Sequence, residues 1–160
     1  MKVLMVCLGN ICRSPLAEGI FRDKININNL NVFVDSAGTI DFHSGAKPDY
    51  RSIAVAKDNN VHISDLVARK FTISDFTEFD YIFVMDFNNY SDLLNLTSKD
   101  SERKKVFFLT EFLYPKQEIA VPDPYYGSEQ DFEFVFKLID DSCEKIIEKL
   151  FLVEPQKVFF

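Results

Sequence analysis

Short apolar runs alternate along the chain with longer segments that have helical periodicity. The short runs predict β-strands at 2–6, 31–35, 80–85 and 105–109. Apolar residues spaced three and four apart predict helices at about 15–25, 48–59, 87–96 and 128–150. Strands that alternate with helices favour parallel pairing through right-handed crossovers. The pattern therefore predicts an α/β fold, a single-domain three-layer sandwich with a central four-stranded parallel sheet and helices on both faces.

The last predicted helix has a start signal and an apolar stripe. Ser128, followed three residues later by Asp131, resembles a capping box and places the start of the helix. The stripe consists of Phe132, Phe136, Ile139, Cys143, Ile146 and Leu150. Since Cys143 falls on this stripe, we interpret it as a core residue. Residues 154–160 follow the helix and are expected to pack against the domain or to fray.

A tight loop follows the first predicted strand and contains most of the candidate chemistry. It reads Cys-Leu-Gly-Asn-Ile-Cys-Arg-Ser-Pro from Cys7 to Pro15. Gly9 and Asn10 tolerate the left-handed backbone that such a turn requires. Ser14 is then a candidate N-cap, and Pro15 suits the first position of a helix. The loop amides and the helix dipole would together form a site for an oxyanion of phosphate size.

Cys7 and Arg13 are the reactive candidates in this loop. A thiol surrounded by amides, a helix N-terminus and a guanidinium loses its proton readily, which makes Cys7 a candidate nucleophile. The planar guanidinium of Arg13 fits two phosphoryl oxygens side by side. A cysteine that stands alone at a strand end is usually a core residue, but this one precedes a Gly-Asn and a Ser-Pro pair. The other residues of the predicted phosphate-binding loop are Leu8, Gly9, Asn10, Ile11, Cys12 and Ser14.

A second segment supplies a candidate general acid. Asp123 lies between Pro122 and Pro124, which restrict the backbone around it. Expulsion of a phenoxide requires a proton donor, and the same carboxylate can later activate the water that releases the phosphoryl group. An ordinary Asp-Pro turn is the alternative interpretation of this segment. The presence of Cys7 and Arg13 favours the catalytic one.

These segments, in this order, resemble the low-molecular-weight protein tyrosine phosphatase family. The resemblance rests on residues 6–19, 35–39, 81–86 and 123–127. It implies hydrolysis of phosphotyrosine in proteins or peptides through a cysteinyl-phosphate intermediate, with inorganic phosphate as the product. The implied site residues are Cys7 as nucleophile, Arg13 as phosphate clamp, Asp123 as general acid and then base, Ser14 as hydrogen-bond partner of the thiolate, and Asn10 and Ser36 as loop support.

The resemblance also implies a substrate rim. Phe42 corresponds to an aromatic position of the family, and it would face Tyr125 and Tyr126 across the cleft. Two aromatic walls would hold a phenyl ring, whereas a phosphoserine would leave them empty. Ordinary packing is the alternative interpretation of Phe42 in a chain with 17 phenylalanines. Relatives that act on phosphoarginine carry Thr at the place of Ile11, so tyrosine specificity is favoured.

Two further positions modify the resemblance. Cys12 corresponds to a second loop cysteine of the family, which closes a reversible disulfide with the nucleophile and protects it from over-oxidation. Packing under the loop is the alternative role of Cys12. Many relatives have a histidine behind the loop where this chain has Asp65 or Leu66. His62 is near in sequence but in a different register, so we do not expect it to replace that histidine.

The composition limits the class of protein and its partners. With 160 residues, 47% of them hydrophobic, residues 1–160 are expected to form one domain. The net charge of −7 disfavours nucleic acid as a partner. No signal peptide or membrane-span pattern is recognisable and the cysteines are odd in number, so we expect a cytoplasmic monomer that does not bind membranes. The few histidines and cysteines form no metal-ligand pattern, and we expect neither a metal nor another cofactor.

Two other classes of function stay open at this point. Arsenate reductases share the expected fold and an anion loop with a cysteine, but they use two further cysteines in the middle of the chain, which this sequence lacks. A phosphatase or reductase for another oxyanion is therefore one alternative. A noncatalytic phosphotyrosine-binding module is the other, although binding alone requires neither a thiolate nor an acid.

Overall fold

The computed structural model describes residues 1–153 and has a parallel β-sheet at its centre. The strands are β1 (Lys2–Cys7), β2 (Phe33–Gly38), β3 (Tyr81–Val84) and β4 (Val106–Phe108). The helices are α1 (Arg13–Ile27), α2 (Tyr50–Asp58), α3 (Asp75–Glu78), α4 (Phe87–Asn95), α5 (Asp100–Arg103) and α6 (Glu129–Leu150), and a 3-10 turn spans Leu109–Phe112. The predicted behaviour of residues 154–160 lies outside the described residues.

The strand order places the candidate loop at the point where ligands bind in open α/β sheets. The order is β2-β1-β3-β4, and each neighbouring pair is parallel. The chain continues from β2 to β3 on the other side of β1, so the switch point lies between β1 and β3. Cys7 is the last residue of β1 and pairs with Gly38 of β2. The loop that follows Cys7 therefore starts at the carboxyl edge of the sheet.

Both faces of the sheet are covered by helices. Val3, Met5 and Cys7 belong to a hydrophobic cluster shared with α1, α2 and α6. Leu4 and Val6 point to the opposite face, where they pack with residues of α3 and α4. A parallel strand that is buried on both faces reads as a continuous apolar run, as β1 does. The predicted three-layer α/β fold with a four-stranded parallel sheet is confirmed.

The start of α1 differs from the prediction. The helix begins at Arg13, and Cys12 occupies the N-cap position without a side-chain hydrogen bond. Ser14 is therefore not the N-cap, and Pro15 is the third helical residue rather than the first. The Ser14 hydroxyl is instead 3.0 Å from the Cys7 sulfur. Pro15 is tolerated because the first turn of a helix has no intrahelical acceptor for its N–H groups.

The short helices were not predicted from the sequence. α3 and α5 have four residues each, which is too short to show a hydrophobic period. α3 is stabilised by side-chain contacts with the segment just before it, since the Asp75 carboxylate accepts from the Thr72 N–H at 2.8 Å and pairs with Arg69 at 3.0 Å. β2 also extends to Gly38, beyond the predicted end at residue 35, because its pairing with β1 continues to Cys7.

The long helix α6 agrees with its prediction. The Ser128 N–H donates to the Asp131 carboxylate at 2.7 Å, which confirms the capping box. Cys143 is completely buried in the cluster between α6, α1 and the sheet, as predicted. No helix within residues 1–153 combines the length and the apolar character that a bilayer crossing requires.

Candidate active site

The loop between β1 and α1 is held in place through its carbonyl groups. The carbonyl oxygens of Cys7 and Leu8 accept from the N–H groups of Thr39 and Ile40 at 2.9 and 3.0 Å. Further along, the Ile11 carbonyl accepts from the Asp49 N–H at 2.7 Å. These donors come from the segments that follow β2 and precede α2. The conformation of the loop is thus determined by several parts of the chain.

Asn10 is the one residue of this loop with a left-handed backbone. Its φ is 57°, whereas Gly9 does not have a positive φ, so the prediction for Gly9 is wrong. The Gly9 position is restricted in another way, because a Cβ there would lie 2.9 Å from the His43 ring. Gly9 therefore provides space for a side chain of the cleft rather than an unusual backbone.

The Asn10 side chain defines the direction of a hydrogen-bond chain to the thiol. Its Oδ1 accepts from the Arg69 N–H at 3.0 Å, so its Nδ2 must face the opposite side. Nδ2 donates to Ser14 Oγ at 2.7 Å and to Ser36 Oγ at 3.0 Å. Because Ser14 Oγ accepts from Asn10, its own proton is free to point towards the Cys7 sulfur. Ser14 is therefore oriented as a donor to Cys7.

The same chain ends at a buried carboxyl group. Ser36 Oγ donates to Glu18 Oε2 at 2.5 Å, and Glu18 lies on the inner face of α1. Burial raises the pKa of Glu18 from 4.5 to about 7, although the Ser36 hydrogen bond acts in the opposite direction. Glu18 could not be recognised from the sequence, because nothing local distinguishes it from an exposed glutamate of an amphipathic helix.

Arg13 is the buried cation of the site. It is 2% exposed, and its Nη1 donates to Asp86 Oδ2 at 2.6 Å and to the Val121 carbonyl at 3.0 Å. Nη2 lies 3.5 Å from Asp123 Oδ2. Burial acts to lower the pKa of this guanidinium, but the neighbouring Cys7, Asp86 and Asp123 raise it above its ordinary value. The side chain is therefore a permanent positive charge beside Cys7.

Asp86 is a site residue to which the sequence analysis gave no role. It follows β3, the strand next to β1, and its carboxylate also caps α4 by accepting from the Asn89 N–H at 2.9 Å. An aspartate at the carboxyl end of a strand that neighbours the candidate loop was a usable signal. Its contact with Arg13 joins residues 73 positions apart, so their pairing follows only from the sheet order.

The segment with Asp123 is tied to the sheet beside the loop. Val121 donates its N–H to the Met85 carbonyl at 2.7 Å and accepts from Arg13 through its own carbonyl. Two residues later, Asp123 Oδ1 accepts from the Tyr125 N–H at 3.1 Å, which closes a local turn. The other oxygen, Oδ2, faces Arg13. The carboxyl group is about half exposed and lines the same cleft as Cys7.

The cleft above the loop has a volume of about 260 Å³. It is lined by Cys7, Leu8, Gly9, Ile11, Cys12, Arg13, Ile40, Phe42, His43, Asp123, Tyr125 and Tyr126. The Phe42 and His43 rings meet edge to face at 4.8 Å, and the Tyr125 and Tyr126 rings do so at 4.9 Å. Phe42 and Tyr126 are largely exposed. The structure thus brings the predicted rim residues to one cleft and adds Ile40 and His43, which the sequence analysis did not identify.

Cys12 lies in the cleft as a buried free thiol. Burial, with smaller contributions from Asp49 and Cys7, raises the pKa of Cys12 to about 12. Cys7 and Cys12 are both unpaired cysteines in this structure. The redox role of Cys12 stays a prediction.

The position behind the loop is filled without a histidine. His62 is exposed and lies 3.6 Å from Asp65, while Leu66 packs against the core. The backbone N–H of Arg69 supports Asn10 instead.

Within residues 1–153, no three His, Cys, Asp or Glu side chains come close enough together to hold a metal ion.

Comparison with known proteins gives consistent matches over almost all of the described chain. The family model described as low molecular weight phosphotyrosine protein phosphatase matches residues 2–153. The proteins with that description from Schizosaccharomyces pombe and human are 42% and 40% identical to this chain over 146 and 150 residues. These matches cover 89% and 92% of this chain, and 92% and 94% of the relatives.

A solved structure agrees with the sequence relatives. The crystal structure of protein tyrosine phosphatase from Entamoeba histolytica, with Hepes in the active site, is 41% identical and superposes with a TM-score of 0.88. The match covers 94% of this chain and 96% of that one. Fold and similarity together define the class, a cysteine-dependent protein tyrosine phosphatase. The chain belongs to the low molecular weight phosphotyrosine protein phosphatase family. The family predicted from the sequence is confirmed.

Proposed function

We propose that this enzyme hydrolyses phosphotyrosine in proteins or peptides through a cysteinyl-phosphate on Cys7. The proposal rests on the convergence of a thiol, a buried guanidinium and a carboxyl group on one cleft. Ser14 Oγ lies 3.0 Å from the Cys7 sulfur, and Arg13 Nη2 lies 3.5 Å from Asp123 Oδ2. Family membership supports the choice of substrate, since the relatives are phosphotyrosine protein phosphatases.

The first step is attack of the Cys7 thiolate on phosphorus. The Ser14 hydroxyl and the positive charge of Arg13 stabilise the thiolate before attack. Asp86 and the Val121 carbonyl occupy Nη1 of Arg13, and Nη2 has only the long 3.5 Å contact with Asp123, so Nε and Nη2 can bind two phosphoryl oxygens side by side. The N–H groups of the loop, residues 8–14, stabilise the charge that develops on these oxygens.

Asp123 supplies the proton that the leaving group needs. In its protonated form it donates to the phenolic oxygen as the bond from phosphorus to that oxygen breaks and the sulfur–phosphorus bond forms. In the second step the Asp123 carboxylate accepts a proton from water, which attacks the cysteinyl-phosphate. Inorganic phosphate leaves and the Cys7 thiolate is restored. The half-exposed position of Asp123 supports this role, because both the leaving group and water reach it.

The aromatic residues of the cleft give the proposed specificity. Phe42 on one side and Tyr125 and Tyr126 on the other provide apolar surface for a phenyl ring that extends from the loop. A phosphoserine has no ring to contact them. Inorganic phosphate is the second product, and no cofactor takes part in these steps.

We also infer that residues 1–160 form one domain that acts as a cytoplasmic monomer. The two helical layers that share one sheet support the single domain. A reducing compartment suits a reaction that needs a free Cys7 thiol, because thiolates of this kind oxidise readily. Nucleic acid and membranes are not proposed as partners of a chain with a net charge of −7.

The test is phosphate release from a phosphotyrosine peptide at mildly acidic pH, with phosphoserine and phosphoarginine peptides in parallel. We expect turnover on phosphotyrosine alone, and none after Cys7→Ser. The Asp123→Asn variant should lose roughly 10²- to 10⁴-fold in kcat. Cys143→Ala, which removes a thiol outside the cleft, should keep turnover. Failure of the wild type on all three substrates would contradict the proposal and favour arsenate or a binding role.

A further inference from the structure

The first turn of α2 joins the phosphate-binding loop to the acid segment. Asp49, just before this helix, donates its N–H to the Ile11 carbonyl at 2.7 Å. Ser52 Oγ donates to the Cys12 carbonyl at 3.4 Å. Both contacts bind the outer side of the loop. The start of α2 is therefore fixed relative to the floor of the cleft.

Arg51 extends from this turn and is held by Asp49. Its Nε donates to Asp49 Oδ1 and its Nη2 to Asp49 Oδ2, each at 3.0 Å. Asp49 Oδ1 also accepts from the Arg51 N–H at 2.9 Å, so the carboxylate caps α2 and orients the guanidinium at once. The hydrogen bonds that Arg51 donates to the Asp49 carboxylate raise the pKa of Arg51 above its ordinary value.

The guanidinium of Arg51 contacts three aromatic rings. Its Cζ lies 4.6 Å from the ring centre of Phe132 on α6, 5.5 Å from that of Tyr125 and 5.7 Å from that of Tyr50. All three distances are within the range of cation–π contacts. Tyr125 lines the cleft, where its ring also forms the edge-to-face pair with Tyr126. Arg51 thus supports the cleft wall from behind.

We propose that Arg51 is a positioning residue for substrate specificity, which holds the Tyr125 wall at a set distance from the phosphate-binding loop so that the cleft accepts an aryl phosphate. The inference rests on the proposed function. The connection runs from the Ile11 carbonyl through Asp49 and Arg51 to the Tyr125 ring. Arg51 does not line the cleft, so its effect on the substrate passes through Tyr125.

Arginine is the residue that this position requires. A guanidinium is planar, so it binds a carboxylate with two parallel hydrogen bonds and stacks on aromatic faces in the same orientation. A lysine would keep the charge but would lack the two-point contact with Asp49. The structure therefore predicts different results for loss of the charge and for loss of the planar group.

The test uses two competitive inhibitors that probe different parts of the cleft. Inorganic phosphate fills the floor only, whereas benzylphosphonate also contacts the aromatic walls. In Arg51→Met we expect the inhibition constant of phosphate to stay within about twofold, while that of benzylphosphonate rises about three- to tenfold. KM for the phosphotyrosine peptide should rise in parallel, with little change in kcat. Arg51→Lys should give an intermediate result.

Two controls separate support of the wall from general damage. Arg103→Met removes a guanidinium that bonds the Thr97 and Leu94 carbonyls outside the cleft, and both inhibition constants should stay unchanged. In a Tyr125→Leu background, Arg51→Met should have no further effect on benzylphosphonate, because the ring that it supports is gone. The cycle uses variants that keep the Asp49 cap of α2.

Several outcomes would overturn the inference. Equal weakening of phosphate and benzylphosphonate would mean that Arg51 supports the loop rather than the wall. Unchanged constants in Arg51→Met and Arg51→Lys would mean that Tyr125 is held without Arg51. A wild type that neither binds phosphate nor releases it from phosphotyrosine would instead contradict the proposed function, so the two failures are distinguishable.

Discussion

Asn10 shows how one side chain organises the residues around Cys7. Its left-handed φ of 57° forms the turn, and its amide contacts the Arg69 backbone and the hydroxyls of Ser14 and Ser36. A glycine would supply the same backbone conformation but none of these hydrogen bonds. The residue type at this position therefore serves both the shape of the loop and the direction of the donor to Cys7.

The buried Glu18 predicts a dependence of stability on pH. Its pKa is raised from 4.5 to about 7, so the folded protein binds the proton more tightly than the unfolded chain does. The stabilisation is complete below pH 4.5 and is lost as the pH rises through 7. Glu18→Gln should remove this dependence, which is on the order of 3 kcal/mol. The measurement is the free energy of unfolding in urea from pH 4.5 to 8, compared between the two proteins.

Glu102→Gln is a control, because Glu102 makes stability depend on pH in the opposite direction to Glu18. The Thr97 hydroxyl is the first cause that lowers the pKa of Glu102, and Lys99 adds to it. Stability from this group is present above its unfolded pKa and is lost as the pH falls. The variant should therefore be less stable than the wild type at neutral pH, and the two proteins should converge as the pH falls below 4.5. Parallel curves for wild type and Glu18→Gln across the whole range would contradict the prediction for Glu18.

At the scale of elements, the end of β2 limits the position of the loop. A Cβ on Gly38 would lie 2.8 Å from the Leu8 carbonyl oxygen and about as close to the backbone of Gly9 and Asn10. Backbone atoms cannot turn away as a flexible side chain does. The glycine at this point therefore allows β2 and the loop to approach each other.

We expect Gly38→Ala to weaken phosphate binding and to lower stability, although it adds only one methyl group. The loop must shift away from the new methyl group, so the inhibition constant of inorganic phosphate should rise about tenfold or more. Overpacking of this kind costs about 1–3 kcal/mol, which should also appear as a lower free energy of unfolding. Competitive inhibition and urea unfolding measure the two effects.

Gly45→Ala provides the comparison. Gly45 has a φ of 87°, and a Cβ there would meet no atom within 4 Å. The variant should lose about 1 kcal/mol through backbone strain but keep its phosphate affinity. If Gly38→Ala bound phosphate as tightly as the wild type, the close approach of β2 and the loop would not matter for the site.

At the scale of the whole molecule, the reactive loop lies on top of a continuous core. Cys7 and Cys143 belong to the same hydrophobic cluster, which joins the sheet to α1, α2 and α6. Cys7 faces the cleft, whereas Cys143 is enclosed on α6. Complete burial raises the pKa of Cys143 far above its ordinary value. The cluster also contains Cys12, which lines the cleft beside Cys7, so its thiols differ in their access to reagents.

Alkylation should separate these thiols. At neutral pH, iodoacetamide should label Cys7 in the folded enzyme and leave Cys143 unreactive, because its thiol is protonated and buried. Labelling of Cys143 should follow the unfolding transition in urea, as measured by mass spectrometry of peptides. Inorganic phosphate should protect Cys7 but not Cys143. Labelling of both residues at similar rates in the folded enzyme would contradict this picture.

Much of the fold and of the site could be predicted from local sequence. The loop from Cys7 to Ser14 is contiguous, so its residues are neighbours in the structure whatever the rest of the chain does. The apolar run of β1 and the stripe of α6 also identified their elements, because side-chain periodicity follows directly from backbone geometry. The two prolines around Asp123 also marked it as a candidate acid, and the family resemblance added the rim residue Phe42 and the supporting residue Ser36.

The tertiary structure decided which distant groups meet this loop. Asp86 and Asp123 reach Arg13 across 73 and 110 positions of sequence, and Arg51 reaches Tyr125 from another helix. The Arg69 N–H that orients Asn10 is a backbone group, so no residue type reveals it. Such contacts depend on sheet order and packing, which involve the whole chain at once. The sequence by itself therefore determined which candidate reactive residues lie together in one loop, and the fold determined their orientation, their charge environment and the walls around them.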